Sequence, residues 1–515
     1  MDNDRNTYYT ALLARDRRFD GWFFVGVSST GIYCRPVCAV RTPKFENCTF
    51  YMSAAAAEKQ GFRPCLRCRP ELAPGHSILD MSGKLARAAE TLIEAGFLSD
   101  AGIPDLARRV GITERHLRRI FDTEFGVSVI EYAQTQRLLL AKRLLTDSAL
   151  PVAEVAFAAG FASLRRFNDV FQSHYRLSPR ELRKSNATAV VSNTMSFELG
   201  YRPPFAWAEL LEFLARRAIA GVEQVEHGVY RRTIAIEAAG HSLTGWISVE
   251  HIPMRHAVKL TFPASLAPAI APLLNRVRNI FDLACQPDLV DAHLGELAAT
   301  LPGLRVPGAF DGFEMAVRAI VGQQISVAGA RTILGRIAAQ WGPPLIMSAP
   351  QPVATRRPPR GGQQNVGAAQ RFVEGQDPMP EGLHAIFPSA QDIAKLEVEA
   401  LQGVGIVKAR AAAIHAVATE IAQGRLALEP LVPLDETLAA LLRIKGIGEW
   451  TAQYIAMRAL GWPNAFPAGD LVLKKQLGLA TAKAVEQHAE AWAPWRAYAT
   501  LHVWRQAAAN DGDLT

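Results

Sequence analysis

The stretch Arg443-Ile-Lys-Gly446-Ile447-Gly448-Glu449-Trp450-Thr451-Ala452 has the pattern of a helix end, a tight glycine turn and the start of a second helix. The two glycines let the backbone approach a phosphate closely, and the free N–H groups that open the second helix attract an anion. Hairpins of this kind occur in many DNA-binding proteins. By itself the stretch therefore predicts DNA contact, at Gly446, Gly448 and Thr451, without a particular chemistry.

An acid follows this hairpin, because Asp470 stands after the loop Phe466-Pro-Ala-Gly469. A hairpin with a later aspartate is the signature of the helix-hairpin-helix base-excision glycosylases. Over residues 196–508 the sequence closely resembles the 3-methyladenine DNA glycosylase II family. Further stretches that carry this resemblance are Tyr201-Arg-Pro-Pro-Phe-Ala-Trp207, Phe213-Leu-Ala-Arg-Arg-Ala218, Phe310-Asp-Gly-Phe-Glu-Met-Ala-Val-Arg-Ala-Ile-Val-Gly-Gln-Gln-Ile-Ser326 and Trp495-Arg-Ala-Tyr-Ala-Thr-Leu-His-Val-Trp504.

The resemblance implies roles for particular side chains. Asp470 would be the catalytic carboxylate, and a base flipped out of the duplex would enter a pocket formed by Trp450, Tyr454, Trp504, Phe213 and Gln323. Alkylation at a ring nitrogen gives a purine a positive charge, which favours contact with aromatic faces. An ionised Asp470 would stabilise the positive charge that grows on the sugar as the glycosidic bond breaks. Without the resemblance, each aromatic residue is better interpreted as core.

Three features of the sequence separate it from neighbouring families. Trp450 stands where bifunctional glycosylases carry a Schiff-base lysine, so hydrolysis without lyase activity is expected. No cysteine follows Cys285, so the iron–sulfur cluster of related nucleases is not expected. Gln324, which we include among the DNA-contacting residues, replaces the leucine expected to fill the gap left by the flipped base. The identity of that plug residue therefore stays open.

Four cysteines near the start of the chain form two pairs, Cys34-x3-Cys38 and Cys65-x2-Cys68. Two such pairs supply the four thiolates of a tetrahedral Zn²⁺ site, which by base rate is purely structural. The surrounding segments, Thr30-Gly-Ile-Tyr-Cys34-Arg-Pro-Val-Cys38 and Gly61-Phe-Arg-Pro-Cys65-Leu-Arg-Cys68-Arg-Pro70, closely resemble the N-terminal domain of the Ada family of alkylation-response proteins.

That second resemblance implies that Cys34 accepts a methyl group from a methylated DNA phosphate. Zinc would keep the sulfur as a thiolate, and methylation would change the complex from −2 to −1, which lowers its repulsion from DNA. Nearby arginines are interpreted either as phosphate contacts or as a solvated basic surface: Arg35, Arg63, Arg67 and Arg69. Cys48 has no partner in the pattern and is interpreted as a small buried hydrophobe.

Two segments, Ala107-x3-Gly111 and Ala156-x3-Gly160, predict a pair of helix-turn-helix units with Thr113 and Ser163 as N-caps. The second helix of each unit has a basic outer face, formed by Arg115, Arg118 and Arg119 and by Arg165 and Arg166. Their predicted inner faces carry Leu117, Ile120 and Phe121, and Leu164, Phe167 and Phe171. The arrangement resembles the AraC-family DNA-binding domain, which reads successive major grooves. The alternative is an ordinary helical spacer.

Composition agrees with a DNA-binding protein of several domains. The chain has 515 residues, 49% of them hydrophobic and 20% charged, which indicates a folded protein with three or four domains. The net charge of +7 comes entirely from residues 1–190, where 27 Lys and Arg face 20 Asp and Glu, against 29 and 29 in the remainder. No apolar stretch is long enough to span a membrane and the N-terminus carries no secretory pattern, so a cytoplasmic protein is expected.

We therefore predict a multidomain α+β fold with four parts. These are a small zinc domain (1–76), an all-α double helix-turn-helix domain (77–186), a mixed α/β subdomain (196–300) and an all-α helix-hairpin-helix glycosylase domain (301–515). A segment rich in Pro, Gly and Gln, 348–381, is interpreted as an unstructured insertion.

The function predicted from both resemblances is DNA alkylation repair by excision of N-alkylated purines, combined with a methyl acceptor and with transcription regulation. The Pro-Cys-His-Arg motif of Ada methyltransferase domains is absent, so direct repair of O6-methylguanine is not expected. The alternatives are a regulator with a degenerate glycosylase half and an architectural DNA binder that uses zinc only for folding. Expected partners are alkylated and promoter DNA and RNA polymerase, with no membrane, for a monomeric protein.

Overall fold

The computed structural model describes residues 2–75, 84–184, 193–238, 240–345 and 380–511. The predicted insertion at 348–381 lies outside the described residues, apart from its last two positions. The first part of the chain is a four-stranded sheet in the order β3-β1-β2-β4. Its elements are α1 (Asp2–Ala14), β1 (Phe24–Val27), β2 (Ile32–Cys34), β3 (Cys48–Tyr51), α2 (Ala54–Lys59) and β4 (Arg63–Pro64).

Strand pairing in this sheet brings the two cysteine pairs together. Strands β2 and β4 are parallel, with Tyr33 opposite Pro64. Cys34 and Cys65 each follow one of these paired residues, so the two knuckles start side by side. The backbone N–H of Cys65 donates to the carbonyl of Tyr33 at 3.0 Å, which fixes this register.

Eight helices between residues 84 and 184 form two helix-turn-helix units joined by one long helix. They are α3 (Lys84–Glu94), α4 (Phe97–Asp100), α5 (Ile103–Val110), α6 (Glu114–Phe125), α7 (Val129–Asp147), α8 (Val152–Ala158), α9 (Leu164–Tyr175) and α10 (Pro179–Lys184).

The sequence anticipates the turns of both units. Gly111 and Gly160 adopt left-handed φ angles of 80° and 83°, which glycine tolerates at low cost. The Thr113 hydroxyl accepts from an N–H of α6 and the Ser163 hydroxyl from one of α9, each at 3.3 Å, as predicted. The prediction that Leu164 lies on an inner face is wrong. Leu164 is 37% exposed because it opens α9 ahead of the first buried position, Phe167.

The next part of the chain is a five-stranded antiparallel sheet in the order β5-β9-β8-β7-β6. Its elements are β5 (Thr194–Gly200), α11 (Trp207–Arg217), β6 (Glu223–Glu226), β7 (Val229–Ala238), β8 (His241–Ile252), β9 (Ala257–Pro263) and α12 (Ile270–Ile280). Buried and half-buried residues alternate along β5, as expected for a sheet with one covered face. The predicted mixed α+β subdomain is therefore present.

One hydrophobic core joins this sheet to the second helix-turn-helix unit. Phe167 and Phe171 of α9 belong to the same buried cluster as Phe197 of β5 and Leu260 of β9. The part of the chain that carries the four-stranded sheet (2–75) contacts α7 through polar side chains. Glu58 accepts from Thr135 of α7 at 3.0 Å, and Lys142 of α7 donates to Glu71 at 2.6 Å.

The rest of the described chain is helical. Its elements are α13 (Pro287–Leu294), α14 (Glu296–Ala299), α15 (Gly312–Val321), α16 (Val327–Trp341), α17 (Ala390–Ala394), α18 (Val398–Gly403), α19 (Lys408–Ala422), α20 (Leu434–Arg443), α21 (Glu449–Arg458), α22 (Leu471–Leu477), α23 (Ala482–Ala489) and α24 (Arg496–Asp511). The predicted hairpin is the turn between α20 and α21. Across the described ranges, no helix combines the length and the apolar character needed to cross a bilayer.

Candidate active site and metal centre

Asp470 is the residue that starts helix α22. Its Oδ1 accepts from the backbone N–H groups of Val472 and Leu473 at 3.0 and 3.1 Å, so the carboxylate acts as an N-cap. The Trp504 indole donates to the same oxygen at 3.1 Å, and the Trp450 indole donates to Oδ2 at 2.9 Å. In the described part of the chain no Lys or Arg forms an ion pair with Asp470. All the hydrogen-bond donors to its carboxylate named here are uncharged.

A cavity of about 300 Å³ opens beside this carboxylate. Small-molecule sites occupy roughly 300–1,000 Å³, so the cavity is of a size that suits one bicyclic base. Asp470, Trp450, Tyr454 and Trp504 all line it. The Trp450 and Tyr454 rings stack at 5.3 Å and 10°, and the Tyr454 and Trp504 rings lie 6.2 Å apart. The structure thus brings together four of the predicted site residues.

The other two predicted pocket residues, Phe213 and Gln323, are not among the residues that line this cavity. Phe213 does not line the cavity, and its ring is covered by the guanidinium of Arg217 at 3.7 Å and that of Arg458 at 4.8 Å. Gln323 also lies outside the lining. Its amide donates to the Gly446 carbonyl at 3.1 Å and to the Thr451 hydroxyl at 2.8 Å, which ties the α15–α16 turn to the hairpin.

The hairpin residues differ in exposure. Gly446 has a φ of 99°, and Gly448 caps α21 with open space around it. Thr451 is only 2% exposed, so its side chain faces Gln323 and not the surface. The two glycines therefore leave their backbone exposed, whereas the Thr451 hydroxyl is used inside the protein as an acceptor for Gln323.

The turn that would hold the plug residue contains Gln324 and Ile325. Gln324 is exposed and has a φ of 54°, a conformation uncommon outside glycine. Ile325 is half-buried and lines the cavity. Sequence reasoning singled out Gln324 and missed Ile325, although the two are adjacent.

Sequence reasoning also missed the five arginines that line the cavity, of which Arg217 and Arg458 lie beside Tyr454. Arg458 is buried and donates to the Tyr454 hydroxyl at 2.9 Å. Burial alone would raise the pKa of Tyr454, but Arg458 and Arg217 outweigh it and hold that pKa below its usual value. For Arg217, the sequence feature that could have drawn attention was the pair of arginines inside the apolar stretch Leu214-Ala-Arg-Arg-Ala218.

The far side of the cavity is a buried network of charges. Arg232 donates to Glu314 at 2.6 Å, and Arg318 pairs with both Glu314 and Glu223. The pKa of Glu223 falls to about 2 although burial opposes this, because Arg318 and Arg232 favour the ionised form. These four side chains satisfy one another, so they form a fixed wall and offer no free charge to a ligand.

The four predicted metal ligands converge. The sulfur atoms of Cys34, Cys38, Cys65 and Cys68 lie within 4.8 Å of one another. Tetrahedral Zn–S bonds of ~2.3 Å separate the sulfurs by roughly 3.8 Å, so the donor set fits Zn²⁺. Cys34, Cys38 and Cys65 are buried and Cys68 is half-buried. Cys48 is buried outside this group, as predicted.

Two of the arginines near the metal ligands have internal partners. Arg35 donates to Asp20 at 2.8 Å and to the Cys68 carbonyl at 3.1 Å. Arg69 binds Glu71 and Asp147 of α7, at 3.1 and 2.5 Å. Both are therefore engaged within the protein, whereas Arg67 is exposed.

The predicted recognition helices carry their arginines on the surface. Arg115, Arg118 and Arg119 on α6 and Arg165 and Arg166 on α9 are all exposed. Arg118 forms an ion pair with Glu114 at 2.5 Å, one turn earlier. The outer faces of both helices are thus free for a polyanion.

Four family descriptions match successive parts of the chain. They are the metal binding domain of Ada (7–71), a helix-turn-helix domain (106–185), the AlkA N-terminal domain (196–311) and the HhH-GPD superfamily of base excision DNA repair proteins (317–494). A protein of Mycobacterium tuberculosis, the "Probable bifunctional transcriptional activator/DNA repair enzyme AlkA", is 35% identical over 98% of this chain and 97% of that protein. The chain belongs to this family of bifunctional activator and repair enzymes.

Shorter relatives match individual parts of this bifunctional family. DNA-3-methyladenine glycosylase 2 of Escherichia coli is 32% identical over 60% of this chain and 96% of its own length. Among solved structures, a 3-methyladenine DNA-glycosylase from Archaeoglobus fulgidus is 20% identical, with a TM-score of 0.46, and covers 61% of this chain and 99% of that one.

Membership of the bifunctional family confirms the predicted fusion, its multidomain α+β fold and its general function in DNA alkylation repair and regulation. The alternative of a regulator with a degenerate glycosylase half is not favoured. The chain is a DNA-binding protein with a four-cysteine metal site.

Proposed function

We propose that this chain hydrolyses the glycosidic bond of N-alkylated purines in DNA, with Asp470 as the catalytic carboxylate. The observation that carries this proposal is the environment of Asp470, which lies at the edge of a base-sized cavity and is held by neutral donors. A carboxylate that keeps its full charge stabilises the positive charge that develops on a sugar.

The proposed reaction balances without another reactant. The bond between the base and C1′ of the sugar breaks, and its electron pair neutralises the cationic base. Water adds to C1′ and loses one proton to solvent, which leaves an abasic sugar. Trp450 holds the position of the lysine that would open the sugar in bifunctional enzymes, so we propose hydrolysis alone.

Base release from methylated DNA tests this proposal. The wild-type chain should release 3-methyladenine or 7-methylguanine, and Asp470→Asn should lose that activity. Strand cleavage at the abasic product should not occur, and sodium borohydride should not trap a covalent complex. Absence of base release, or an Asp470→Asn variant as active as wild type, contradicts the proposal.

We further propose that Cys34 accepts a methyl group from a methylated DNA phosphate and that the metal is zinc. Zinc would hold the four sulfurs as thiolates at neutral pH. The Cys34 sulfur would attack the methyl carbon, so that an S–C bond forms and the C–O bond breaks with its electron pair on the phosphate oxygen. The parallel pairing of β2 with β4 supports this by placing Cys34 in the ligand set.

Mass analysis tests the acceptor assignment. After incubation with DNA that carries methyl phosphotriesters, the peptide containing Cys34 should gain the mass of one CH₂ group, and Cys34→Ala should gain none. Cys48→Ala, at a buried cysteine outside the ligand set, is the control and should still be methylated. A modified Cys38, Cys65 or Cys68 would show that the wrong acceptor was assigned. Metal analysis of the purified chain should give one zinc per protein.

The domain boundaries and the remaining partners are also proposals. We propose that α6 and α9 enter successive major grooves of promoter DNA through their exposed arginines. The boundaries near residues 76 and 186 fall between successive family matches, whereas the match to the AlkA N-terminal domain runs past residue 300 to residue 311. Contact with RNA polymerase and a monomeric state complete the proposal, and crosslinking and sedimentation measurements test them.

A further inference from the structure

A second cavity, of about 130 Å³, lies where three parts of the chain meet. One wall comes from residues 2–75, a second from α3, α7 and α8, and a third from α12. None of its lining residues belongs to the cavity beside Asp470, and the chemistry proposed for Asp470 and Cys34 does not involve it. A cavity of ~150 Å³ is enough for one benzene molecule, so this space suits a ligand of about six non-hydrogen atoms.

The ionisable side chains of this second cavity do not balance one another. Three carboxylates and three guanidiniums contribute to its lining. Two of the carboxylates are paired with cations that lie outside the lining. Lys142 donates to Glu71 at 2.6 Å, and Arg87 lies 3.5 Å from Glu90. One carboxylate, that of Glu94, is left against the three guanidiniums.

The remaining carboxylate and the guanidiniums are spread along α7. Glu94 accepts from the hydroxyl of Tyr132, near the start of this helix, at 3.2 Å. Arg143 follows Tyr132 by eleven residues, which is roughly 16 Å along a helix. Arg137 lies between them on α7, and Arg278 of α12 lines the same cavity. The end of the cavity formed by Arg143 and Arg278 is therefore positively charged.

Arg143 is 2% exposed and uses only part of its guanidinium. Its Nη2 donates to the Glu198 carbonyl, whereas its Nε has no hydrogen-bond partner among the described residues. Nε lies 3.9 Å from Oδ2 of Asp147, an oxygen that Arg69 already binds at 2.5 Å. Burial and then the charge of Arg278 lower the pKa of Arg143 to about 9, although Asp147 opposes this. Arg143 is still protonated at neutral pH, so a buried cation lies beside another cation.

The other two guanidiniums are half-buried. Arg278 lies in the last turn of α12, and in the ranges that the structure describes no carboxylate pairs with it. Arg137 donates to the Leu98 carbonyl at 2.7 Å, and burial followed by the charge of Arg166 lowers its pKa. Like charges gathered on the walls of one cavity cost free energy unless an anion joins them.

We propose that this second cavity binds a small oxyanion, inorganic phosphate or a phosphate monoester of similar size, between Arg143 and Arg278, with Arg137 as a further donor. Guanidinium groups bind phosphate oxygens through charged hydrogen bonds, often two at a time. The anion replaces the repulsion between Arg143 and Arg278 by two attractive pairs.

The bound anion also connects two functional halves of the chain. Arg143 belongs to α7, within the match to the helix-turn-helix domain, and Arg278 to α12, within the match to the AlkA N-terminal domain. An oxyanion held by both therefore stabilises the contact between the regulatory half and the glycosylase half. This inference does not depend on the proposed function of Asp470.

Calorimetric titration and thermal unfolding of the full chain test this proposal. Sodium phosphate and methyl phosphate are added separately, with sodium chloride of equal ionic strength as the reference. The variants are Arg278→Met, which removes the donors, and Arg278→Lys, which keeps the charge without the planar fork. Arg276→Met is the matched control on α12, because the Arg276 guanidinium lies over the Phe310 ring and outside the cavity lining. Arg165→Met, on the exposed face of α9, is the control for an ion held by the DNA-binding surface.

We expect one phosphate site per chain that chloride does not fill, and a melting temperature that rises with phosphate. Arg278→Met should bind phosphate at least roughly tenfold more weakly, the effect of a lost charged hydrogen bond, and Arg278→Lys should be intermediate. Without phosphate, Arg278→Met should be at least as stable as wild type, because a like charge beside Arg143 is removed. Both controls should bind as wild type does. Tighter binding of methyl phosphate than of phosphate would identify the monoester as the ligand.

Three results would overturn the inference. They are absence of phosphate binding to wild type, equal binding by wild type and Arg278→Met, and binding that Arg165→Met abolishes, which would indicate an adventitious ion on the DNA-binding surface only.

Discussion

The Trp504 indole donates to Oδ1 of Asp470 at 3.1 Å, and the same oxygen accepts the two backbone N–H groups that open helix α22. Together with Trp450 on Oδ2, four neutral donors fix both oxygens of the carboxylate. A cation in their place would hold Asp470 equally still but would cancel part of its charge. The arrangement therefore positions the carboxylate and keeps its charge available to the sugar.

Asp470→Asn should abolish most of the base release while leaving the fold intact. Asparagine caps helices about as well as aspartate, so only the charge and one acceptor are lost. We expect single-turnover release of 7-methylguanine to fall by ~100-fold or more. Asp392→Asn, in the capping box of α17, is the control for a lost capping carboxylate and should leave release unchanged. Equal release by Asp470→Asn and wild type would contradict the assignment.

Trp504→Phe should lower the rate of base release and spare the cavity. A smaller aromatic ring is retained, but the donor to Oδ1 is lost, so the carboxylate is less firmly oriented. We expect a loss of about tenfold, the effect of one hydrogen bond to a charged group. Trp450→Phe should behave similarly through Oδ2, whereas Trp492→Phe, which packs on Phe466, should not. Unchanged rates in the first two variants would show that the indoles serve packing alone.

Glu58 of α2 should make the stability of the interface between residues 2–75 and α7 depend on pH. Burial raises its pKa from 4.5 to about 7, so the folded chain holds a proton that the unfolded chain releases. The resulting stabilisation is complete below pH 4.5 and is lost as the pH rises through 7, a change of roughly 3 kcal/mol in the free energy of unfolding.

Thermal unfolding of Glu58→Gln in zinc-containing buffer checks this expectation. Glutamine mimics the protonated acid, so the variant should gain stability relative to wild type between pH 4.5 and 7. Glu131→Gln is the control. A hydrogen bond from the Ser128 backbone lowers the pKa of Glu131, so the stability of this variant relative to wild type should change with pH in the opposite direction. A difference between Glu58→Gln and wild type that does not change with pH would contradict the prediction.

Arg202→Met should weaken the contact between residues 2–75 and the part of the chain that carries the five-stranded sheet. The Arg202 guanidinium is buried and donates to the carbonyls of Asp20, Gly75 and Ala284 at 2.9 to 3.1 Å. Leaving buried carbonyls without donors costs about 1–3 kcal/mol each, so we expect a clearly lower melting temperature and faster proteolysis. Arg255→Met, at an exposed pair with Glu198, should change neither. Equal melting temperatures for both variants would contradict the role of Arg202.

The parts of the structure that follow from short stretches of sequence were predictable. Cysteine spacing identified the ligand set, and the caps Thr113 and Ser163 and the glycine hairpin depend on neighbours a few residues away. Asp470 and the three aromatic residues beside it came from a resemblance, because nothing local distinguishes them from core.

The parts that depend on distant contacts were not predictable. Arg217 lines the cavity where α11 packs against α16, and the basic pair in the apolar stretch of α11 does not reveal that contact. The Gln323 amide could form hydrogen bonds with a base or with Thr451. The position of the α15–α16 turn determines that it bonds Thr451, and the sequence does not reveal that position. Arg35 and Arg69 were open to interpretation as phosphate contacts or as a solvated surface, and the sequence did not show that Asp20 and Asp147, from other segments, would pair with them.

The second helix-turn-helix unit and the five-stranded sheet share one hydrophobic core, which fixes them relative to each other in this chain. Cutting the chain between them would expose the apolar side chains of that core to water. A chain bound to DNA through α9 would therefore hold the five-stranded sheet at a fixed orientation to that DNA.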